Sequence, residues 1–508
     1  MTFENIKNMA DMTIYAAENY NNEPFVKYLE NDKIIEKSFQ TFYCDSAAFS
    51  HYLIAEQKKG KHIALIGKLS YYWMISFMGI VNADCVAIPL DVKYTLRELT
   101  DVLVRGDVDI LIYQENMKEI VIKAIEQSGR NIELLCVEND IPKKLEEYDR
   151  TLTTDIDENK CAMILFTSGT TGKSKGVMLS HKNVIDNLSA VVIQSGWNKE
   201  TSSWLSILPN HHIYCLSIDF LFGVLTGIPV AINSSMEKMF EEAKRFKVKG
   251  MTVVPLIVQF IFANLEMLAN KNPTLTKEQV KNLLLGESFY RLGCAGAFLE
   301  PVLRSSIEEY GICLTQGYGM TECTSHISCD SFSGPRDGSV GKKLDALDMK
   351  LVDNEIWVKG AGVMLGYYND VEQTKAILED GWLKTGDLGY MDDEGWIYIT
   401  GRKKNLIILA SGENVSPEEI ELLLQKHQIV KEVLVYEKNN LIEAEIFPNE
   451  VYLQLHNITD VKHEMEKVVQ TVNKELASYK KICRFQLRDC EFSKNNSQKI
   501  KRFMYHNK

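Results

Sequence analysis

Short apolar runs alternate with helical patterns along the chain from about residue 60 to residue 330. Residues 256–269 and 301–310 have the spacing of amphipathic helices. Apolar strands that alternate with helices predict parallel sheets covered on both faces, with ligands bound at the carboxyl ends of the strands. The predicted strands are residues 62–66, 108–113, 132–137, 162–166, 205–208, 229–232, 251–254 and 312–315.

The pattern changes after about residue 340. Residues 349–358 (MKLVDNEIWV) predict a hairpin that turns at Asp-Asn, and residues 395–400 alternate like an exposed strand. From about residue 403 the sequence predicts a smaller mixed unit. Its elements are a helix at 417–426, a hairpin across 433–446, a helix at 461–478 and a strand near 484–487.

Composition limits the function classes. The 508 residues are 45% hydrophobic and 25% charged, as in ordinary soluble proteins. The formal net charge of −12 argues against nucleic-acid binding, which needs a basic surface. We expect no transmembrane segment, because the most apolar windows are shorter than the ~20 residues that span a bilayer. Eleven scattered cysteines without a C-x-x-C pair, and a start without a secretory signal pattern, predict reduced thiols in a cytoplasmic protein.

The segment 164–181 (ILFTSGTTGKSKGVMLSH) leads from an apolar run into ten residues that are almost all glycine, serine, threonine or lysine. Glycines let backbone N–H groups approach a ligand, hydroxyls donate hydrogen bonds and lysines supply charge, so the segment predicts phosphate binding. The Walker P-loop is excluded because it needs glycine where Thr167 stands. Taken alone, the segment leaves a Gly/Ser-rich turn as the alternative.

The part TSGTTGKSKG resembles the signature of the AMP-forming adenylating superfamily, which includes acyl-CoA synthetases, aryl-CoA ligases, luciferases and peptide-synthetase adenylation domains. Further motifs of that family follow in order, and the ordered set is very specific. They are LPNHHIY (208–214), GCAGAFLEP (293–301), QGYGMTE (316–322), GWLKTGDLGYMDDEGWIYITGRKKN (381–405), SGENVSPEEIE (411–421) and SKNNSQKIKR (493–502). The block GRKKN…GENVSPEE is most similar to medium- and long-chain fatty acyl-CoA synthetases.

The resemblance implies a fold and a set of cofactors. The fold would be α/β, with a large N-terminal domain (1–402) of two covered sheets and an antiparallel barrel-like subdomain. A small mobile α+β lid domain (403–508) would follow, with its hinge at Lys404. The cofactors would be ATP, Mg²⁺ and CoA, with carrier-protein phosphopantetheine as the alternative to CoA. The C-terminal residues 460–508 hold twelve Lys/Arg against six Asp/Glu and would meet CoA phosphates or form an ordinary solvated surface.

The resemblance also implies nucleotide contacts. The residues expected around the β- and γ-phosphates are Thr167, Ser168, Gly169, Thr170, Thr171, Gly172 and Lys175. The residues expected around adenine are Gly296, Ala297, Gln316, Gly317 and Tyr318. Asp387 would accept hydrogen bonds from both ribose hydroxyls, with Arg402 beside it.

Four residues are implied to be catalytic. Thr321 would contact the α-phosphate, and Glu322 would bind Mg²⁺ as a hard oxygen ligand. Lys499 would bridge the acyl carboxylate and the α-phosphate, where negative charge gathers. His212 would lie at the carboxylate site, as its fifteen-residue spacing to Gly227 favours. The alternatives are His211 and a histidine that is satisfied within the core or a loop.

Some positions depart from the family pattern. Ser174 and Phe298 replace prolines, and Gln498 replaces the glycine before Lys499, which leaves the geometry of that loop open. Ile408 replaces a lysine of aryl-CoA ligases, which argues against a hydroxycinnamate-type substrate.

The predicted activity is a two-step acid–thiol ligation, in which a carboxylic acid and ATP give acyl-AMP and pyrophosphate before a thiol takes the acyl group. Tyr214 stands where amino-acid-activating members carry an Asp. The segments 214–220, 293–298 and 323–328 hold one acid, Asp219, and no Lys or Arg, so we predict an apolar or aryl acid, with a fatty acid first. The alternatives are a carrier-protein loading enzyme, a luciferase-like oxidative enzyme and a non-catalytic homologue.

Overall fold

A computed structural model describes residues 5–152, 155–167, 174–196, 203–331, 334–410, 413–494 and 500–505. The chain divides into two compact units. The larger unit contains Met1–Met349 and Trp357–Lys384, and the smaller contains Lys350–Ile356 and Thr385–Lys508. The boundary predicted at 402/403, with its hinge at Lys404, falls within the smaller unit and stays a prediction.

The larger unit contains a seven-stranded sheet. Every residue of Val86–Leu90 and Ile110–Tyr113 is buried, because helices cover both faces of these strands. The spatial order of the strands is Gly366–Tyr367, Lys175–Ser180, Cys161–Thr167, Val86–Leu90, His62–Ile66, Ile110–Tyr113 and Glu133–Cys136. Lys175–Ser180 pairs antiparallel with both neighbours, so the sheet is mixed rather than purely parallel as predicted.

A nine-stranded sheet lies in the same unit. Six of its strands, from Pro24–Glu30 to Cys313–Tyr318 in space, pair in parallel. The order is Lys342–Lys343, Ser328–Cys329, Cys313–Tyr318, Arg291–Cys294, Gly250–Val253, Trp204–Ser206, Val230–Ile232, Pro24–Glu30 and Lys33–Ser38. The terminal hairpins are antiparallel at both ends. A core of Leu205, Met251, Leu292 and Leu314 joins this sheet to its helices.

The helices of the larger unit begin at strong sequence signals. Thr95, Ser180 and Thr276 each form a capping box with the residue three positions later, which satisfies backbone N–H groups at the helix start. The helices are Met9–Tyr20, Phe39–Ala55, Tyr71–Asn82, Leu96–Arg105, Lys118–Ser128, Ile141–Glu147, His181–Ser195, Ile213–Cys215, Phe222–Thr226, Met239–Arg245, Pro255–Lys271, Lys277–Leu285, Pro301–Glu308 and Val371–Ile377. Residues Leu216–Leu221 form a π-helical turn.

A five-stranded sheet follows in the sequence. Its strands are Leu347–Val352, Glu355–Gly360, Leu378–Glu379, Trp382–Met391 and Ile397–Arg402. The predicted Asp-Asn turn is confirmed, since Asp353 (φ 51°) and Asn354 (φ 62°) both have the positive φ of a two-residue hairpin.

The rest of the smaller unit is the predicted small α+β arrangement. Its helices are Pro417–Gln425, Glu450–Leu455 and Val461–Glu475. A two-stranded sheet pairs Ile407–Ile408 with Asn414–Val415. In a three-stranded sheet the central strand Leu441–Pro448 pairs with Val430–Lys438 on one side and Ile482–Leu487 on the other. Ile420, Leu424, Val435, Ala444 and Met465 are among the buried side chains that form its own core. In the described ranges, no helix has the length and apolar character needed to cross a membrane.

Candidate active site

The phosphate segment closes a hairpin. Thr167 ends the strand Cys161–Thr167, Lys175 begins Lys175–Ser180, and these two residues are register partners. Both are half-buried. The predicted contacts between them, at Ser168, Gly169, Thr170, Thr171 and Gly172, lie outside the described residues.

Lys175 and Glu322 both contact one tyrosine, Tyr367. The Lys175 ammonium donates to Gln373 Oε1 at 2.7 Å and lies 4.8 Å from the centre of the Tyr367 ring. The Tyr367 hydroxyl donates to Glu322 Oε1 at 2.7 Å. Burial, then the Glu322 carboxylate, raise the pKa of Tyr367, so it stays a neutral donor. The structure thus brings together a predicted phosphate contact and the predicted metal ligand.

A tight turn presents Thr321 and Glu322. The chain leaves Cys313–Tyr318 through Gly319 and enters the 3₁₀ helix Thr321–Cys323. Gly319 is required here, because a Cβ at this position would lie 1.8 Å from the Ser325 carbonyl oxygen. The Met364 N–H donates to the Glu322 carbonyl at 2.9 Å. Thr321 and Glu322 are both half-buried.

The predicted adenine residues lie at the ends of two adjacent strands. Arg291–Cys294 and Cys313–Tyr318 are parallel, with Cys294 opposite Gln316, so both motifs begin at the same sheet edge. Gly296 has φ +87°, which favours glycine, and Ala297 is exposed. Gly317 and Tyr318 are half-buried where this strand pairs with Ser328–Cys329.

A buried ion pair fixes the Gln316 backbone. Gln316 N–H donates to Asp330 Oδ2 at 2.8 Å, and Arg304 Nη2 lies 2.6 Å from the same oxygen. The side chains of Arg304 and Asp330 are 3% and 0% exposed. Burial raises the pKa of Asp330 to about 6, although Arg304 opposes this. This pair therefore holds the strand Cys313–Tyr318, which contains three of the residues predicted to contact adenine.

Two histidines follow Trp204–Ser206 and differ in their contacts. His211 Nε2 lies 3.5 Å from Asp91 Oδ2, whereas the His212 ring has no hydrogen bond or ion pair with any described residue. Their ring centres are 4.2 Å apart. Burial, then His212, lower the pKa of His211 to about 2, and burial lowers that of His212, so both are neutral near pH 7. His211 is therefore the histidine with an acidic neighbour, and the role of His212 at the carboxylate site stays a prediction.

The predicted acyl segments meet at Tyr214. Its hydroxyl donates to the Gly293 carbonyl at 2.9 Å, and its ring centre lies 5.7 Å from that of His326. Burial lowers the pKa of His326 to about 4, so His326 is neutral near pH 7. Asp219 is fully buried and accepts hydrogen bonds from Ser206 and Cys215, and from the Thr252 hydroxyl. The carboxylate of Asp219 is therefore buried and already hydrogen-bonded within the fold.

The smaller unit holds the predicted ribose residues. Asp387 and Arg402 are opposite each other in paired strands, and Arg402 Nε lies 2.6 Å from Asp387 Oδ1. Asp387 N–H also donates to Thr385 Oγ1 at 3.1 Å. Next along the chain, the Lys403 ammonium lies 2.7 Å from Glu355 Oε2. Lys404 is exposed.

Lys499 lies outside the described residues, but both ends of its loop are placed. Lys494 and Ile500 form an antiparallel bridge. Lys494 pairs with Glu432, and Ser493 N–H donates to the Tyr505 hydroxyl at 2.8 Å. The contact with Glu432 connects Lys494 to the sheet of the smaller unit.

Comparison with known families identifies the chain. A model described as AMP-binding enzyme matches residues 15–368, and one described as AMP-binding enzyme C-terminal domain matches residues 404–504. The chain belongs to the AMP-binding enzyme family.

Individual relatives of this AMP-binding enzyme carry ligase names. It is 32% identical over 386 residues to 2-succinylbenzoate–CoA ligase of Listeria monocytogenes, covering 74% of this chain and 75% of the relative. It is 27% identical over 447 residues to long-chain-fatty-acid–CoA ligase of Haemophilus influenzae, covering 77% and 76%. The solved O-succinylbenzoate coenzyme A synthetase of Bacillus subtilis, in complex with AMP, superposes with a TM-score of 0.80 at 23% identity over 98% of each chain.

These comparisons confirm the coarse predictions. The α/β fold class is confirmed by the likeness to the Bacillus subtilis structure. The prediction of an AMP-forming acid–thiol ligase is confirmed, and ATP, Mg²⁺ and CoA as cofactors are confirmed at the level of the family. The relatives do not single out fatty acyl-CoA synthetases, because aromatic-acid ligases stand beside a fatty-acid ligase.

The structure adds residues that the sequence did not single out in this AMP-binding enzyme. They are Arg304, Asp330, His326, Tyr367 and Gln373. Asp330 and His326 follow QGYGMTE closely, so their proximity to that motif was a usable signal. Tyr367 and Gln373 carry no such signal, because they contact Glu322 and Lys175 from 45 and 198 positions away in the chain.

Proposed function

We propose that this enzyme activates a carboxylic acid with ATP and transfers the acyl group to CoA. In the first step a carboxylate oxygen bonds to the α-phosphorus of ATP, and the bond to pyrophosphate breaks. In the second, the CoA sulfur bonds to the acyl carbon, the bond to AMP breaks and the thiol proton is released. The observation that carries the proposal is the convergence of Lys175 and Glu322 on Tyr367.

The two ends of the phosphate hairpin support the proposed pyrophosphate contacts. Thr167 and Lys175 are register partners and flank residues 168–172 in the sequence, whose hydroxyls and N–H groups would complete the site. Thr321 would donate to the α-phosphate. Positive charge and hydrogen-bond donors held in place before the reaction stabilise charge that develops in the transition state.

The residues present fit a magnesium ion held mainly by its substrate. Among the described residues, no cluster of three or more His, Cys, Asp or Glu side chains can form a complete metal cage. Mg²⁺ typically takes one or two carboxylates and completes its shell with phosphates and water, so Glu322 suffices as the protein ligand. When bound, the ion would neutralise charge on the phosphates. Glu322 presents one carboxylate oxygen that Tyr367 leaves unused.

The remaining roles are proposed from placement. Gly296, Ala297, Gln316, Gly317 and Tyr318 would enclose adenine at their shared sheet edge. Asp387 would exchange part of its contact with Arg402 for the ribose hydroxyls.

His212 would orient the carboxylate of the acid as a neutral donor. Lys499 would stabilise charge at the bond exchange. Lys404 would be the hinge about which the domain 403–508 turns between the two steps.

We further propose an acid with an aromatic or apolar body. The segments around Tyr214, Gly293 and His326 bring two aromatic rings together, those of Tyr214 and His326. Their one acid, Asp219, is buried and hydrogen-bonded to neighbouring side chains, and their sequence contains no Lys or Arg. An aromatic acid of the 2-succinylbenzoate kind is the first candidate, supported by the relatives of that name. A fatty acid is the second, supported by the absence of a cation for a second carboxylate in these segments.

Hydroxamate capture of the activated acid tests the proposal. The enzyme, Mg·ATP and hydroxylamine are incubated with 2-succinylbenzoate, with 4-oxo-4-phenylbutanoate as the matched acid without the ring carboxylate, and with octanoate and palmitate. We expect a hydroxamate from at least one class, and a thioester when free CoA replaces hydroxylamine. No hydroxamate and no pyrophosphate release from any of the four acids would contradict the proposed acid class. Acyl transfer to a phosphopantetheine carrier protein but not to free CoA would contradict the proposed acceptor.

A further inference from the structure

Tyr367 lies between two groups of the proposed adenylation site without a role of its own in the reaction above. Its side chain is buried, with a relative exposure of 5%. Its hydroxyl reaches Glu322, and its ring carries the Lys175 ammonium on one face. One aromatic side chain therefore contacts both the proposed Mg²⁺ ligand and a proposed pyrophosphate ligand.

We propose that Tyr367 is a positioning residue for adenylation, and that it holds Glu322 so that one carboxylate oxygen faces the metal ion. This inference rests on the function proposed above. The Tyr367 hydroxyl donates its hydrogen bond to Glu322 Oε1, and in the described part of the chain no hydrogen bond reaches Glu322 Oε2. An unrestrained glutamate would sample several rotamers, so fixing one oxygen lowers the entropy lost when the cation binds.

The backbone holds Tyr367 independently of its hydroxyl. Tyr367 pairs with Val177 in the sheet, and its N–H donates to Thr374 Oγ1 at 2.9 Å. The Thr374 hydroxyl in turn donates to the Asp370 carbonyl at 2.8 Å. Because these contacts survive Tyr367→Phe, that variant removes the bond to Glu322 while it keeps the ring beneath Lys175.

The experiment compares Tyr367→Phe with Tyr368→Phe. Tyr368 is the matched control, since its hydroxyl donates to Asp107 Oδ2 at 3.0 Å. Mn²⁺ binding in the presence of α,β-methylene-ATP is measured by electron paramagnetic resonance, and the Mg²⁺ dependence of ATP–pyrophosphate exchange is measured at saturating ATP. Loss of a charge-assisted hydrogen bond should weaken Mn²⁺ binding and raise the half-saturating Mg²⁺ concentration by about tenfold. Tyr368→Phe, which also removes one tyrosine hydroxyl bonded to a carboxylate, should leave both values unchanged.

Two further variants distinguish this inference from the proposed function. Tyr367→Leu also removes the ring, so the KM for pyrophosphate should rise as well, which Tyr367→Phe should not cause. Glu322→Gln should weaken Mn²⁺ binding more than Tyr367→Phe does. If Glu322→Gln leaves Mn²⁺ binding unchanged, the metal assignment of the proposed function is wrong. If Glu322→Gln weakens it and Tyr367→Phe does not, only the positioning role is overturned.

Discussion

Replacement of Arg304 by methionine tests whether Arg304 is needed to neutralise the buried carboxylate of Asp330, which holds the Gln316 backbone. Methionine keeps most of the side-chain volume but removes the cation from Asp330 Oδ2, which lies 2.6 Å from Arg304 Nη2. Both side chains are almost fully buried, so Asp330 would keep an uncompensated charge in a poorly solvated place. Removing one partner of such a pair costs ~3–5 kcal/mol, so Arg304→Met should lower the free energy of unfolding by about that amount at pH 8.

The loss should depend on pH. The pKa of Asp330 is about 6 in the fold, above its ordinary value, so the stability contributed by its protonated form is present at low pH and is lost as pH rises through about 6. Without Arg304 the pKa of Asp330 rises further, and this loss extends to higher pH. Each pH unit corresponds to about 1.4 kcal/mol, so the deficit of Arg304→Met should grow by about 3 kcal/mol between pH 6 and pH 8. Near pH 5 Asp330 is protonated in both proteins, and the deficit should be smallest.

Urea unfolding of the wild type and of Arg304→Met at pH 5, 6 and 8 measures this difference. The control is the double variant Arg304→Met/Asp330→Asn, which has no buried charge and should regain stability at pH 8 with little dependence on pH. A deficit below about 1 kcal/mol at pH 8, or an equal deficit at all three pH values, would refute the reasoning, because a buried unpaired carboxylate must respond to pH.

Two predictions concern the separate steps of the reaction. Thr170→Ala and Lys175→Ala should slow ATP–pyrophosphate exchange with little change in melting temperature, because they remove phosphate contacts and almost no core; normal exchange in both would contradict the phosphate assignment. Lys499→Ala should fail to form acyl-AMP, slowed roughly a hundredfold by a ~3 kcal/mol loss in the transition state, yet should convert supplied acyl-AMP to thioester. Lys404→Pro should still form acyl-AMP but should lose thioester formation, because proline fixes φ at the proposed hinge. Equal loss of both half-reactions in Lys499→Ala, or no loss in Lys404→Pro, would contradict the proposal that the domain 403–508 turns between the two steps.

The sequence predicts several of the buried strands, because a strand covered on both faces is apolar at nearly every position, although the fully buried strand Val86–Leu90 was missed. His62–Ile66 and Ile110–Tyr113 are of this kind, and both are confirmed. The hairpin Pro24–Glu30 with Lys33–Ser38 was missed, because its strands carry several charged residues and resemble surface loops. Arg291–Cys294 was missed for a different reason, since it is four residues long and contains Gly293.

The candidate site likewise contains residues that the sequence predicts and residues that it does not. Residues that we propose to contact the ligand, such as Thr321 and Glu322, lie in motifs that are visible along the chain. Residues that hold those side chains in place lie near them only in the folded structure. Several types of side chain of suitable length could donate the same hydrogen bond, so no sequence motif marks them. Tyr367 is such a residue, 45 positions from Glu322, and only the structure joins them.

The contacts on either side of Lys404 support our proposal that this residue is the hinge. On one side, Arg402 and Lys403 are held by Asp387 and Glu355. On the other, Asn405 Nδ2 donates to Glu418 Oε1 at 2.5 Å.

Lys404 lies between these two anchored groups, and its own side chain has no hydrogen bond or ion pair with another described residue. A rotation there would leave both anchors intact. It would break the hydrogen bond that Ser416 Oγ donates to the Thr400 carbonyl at 2.9 Å. One such bond contributes about 1 kcal/mol net, and the binding of substrates can offset the loss of a contact of that size.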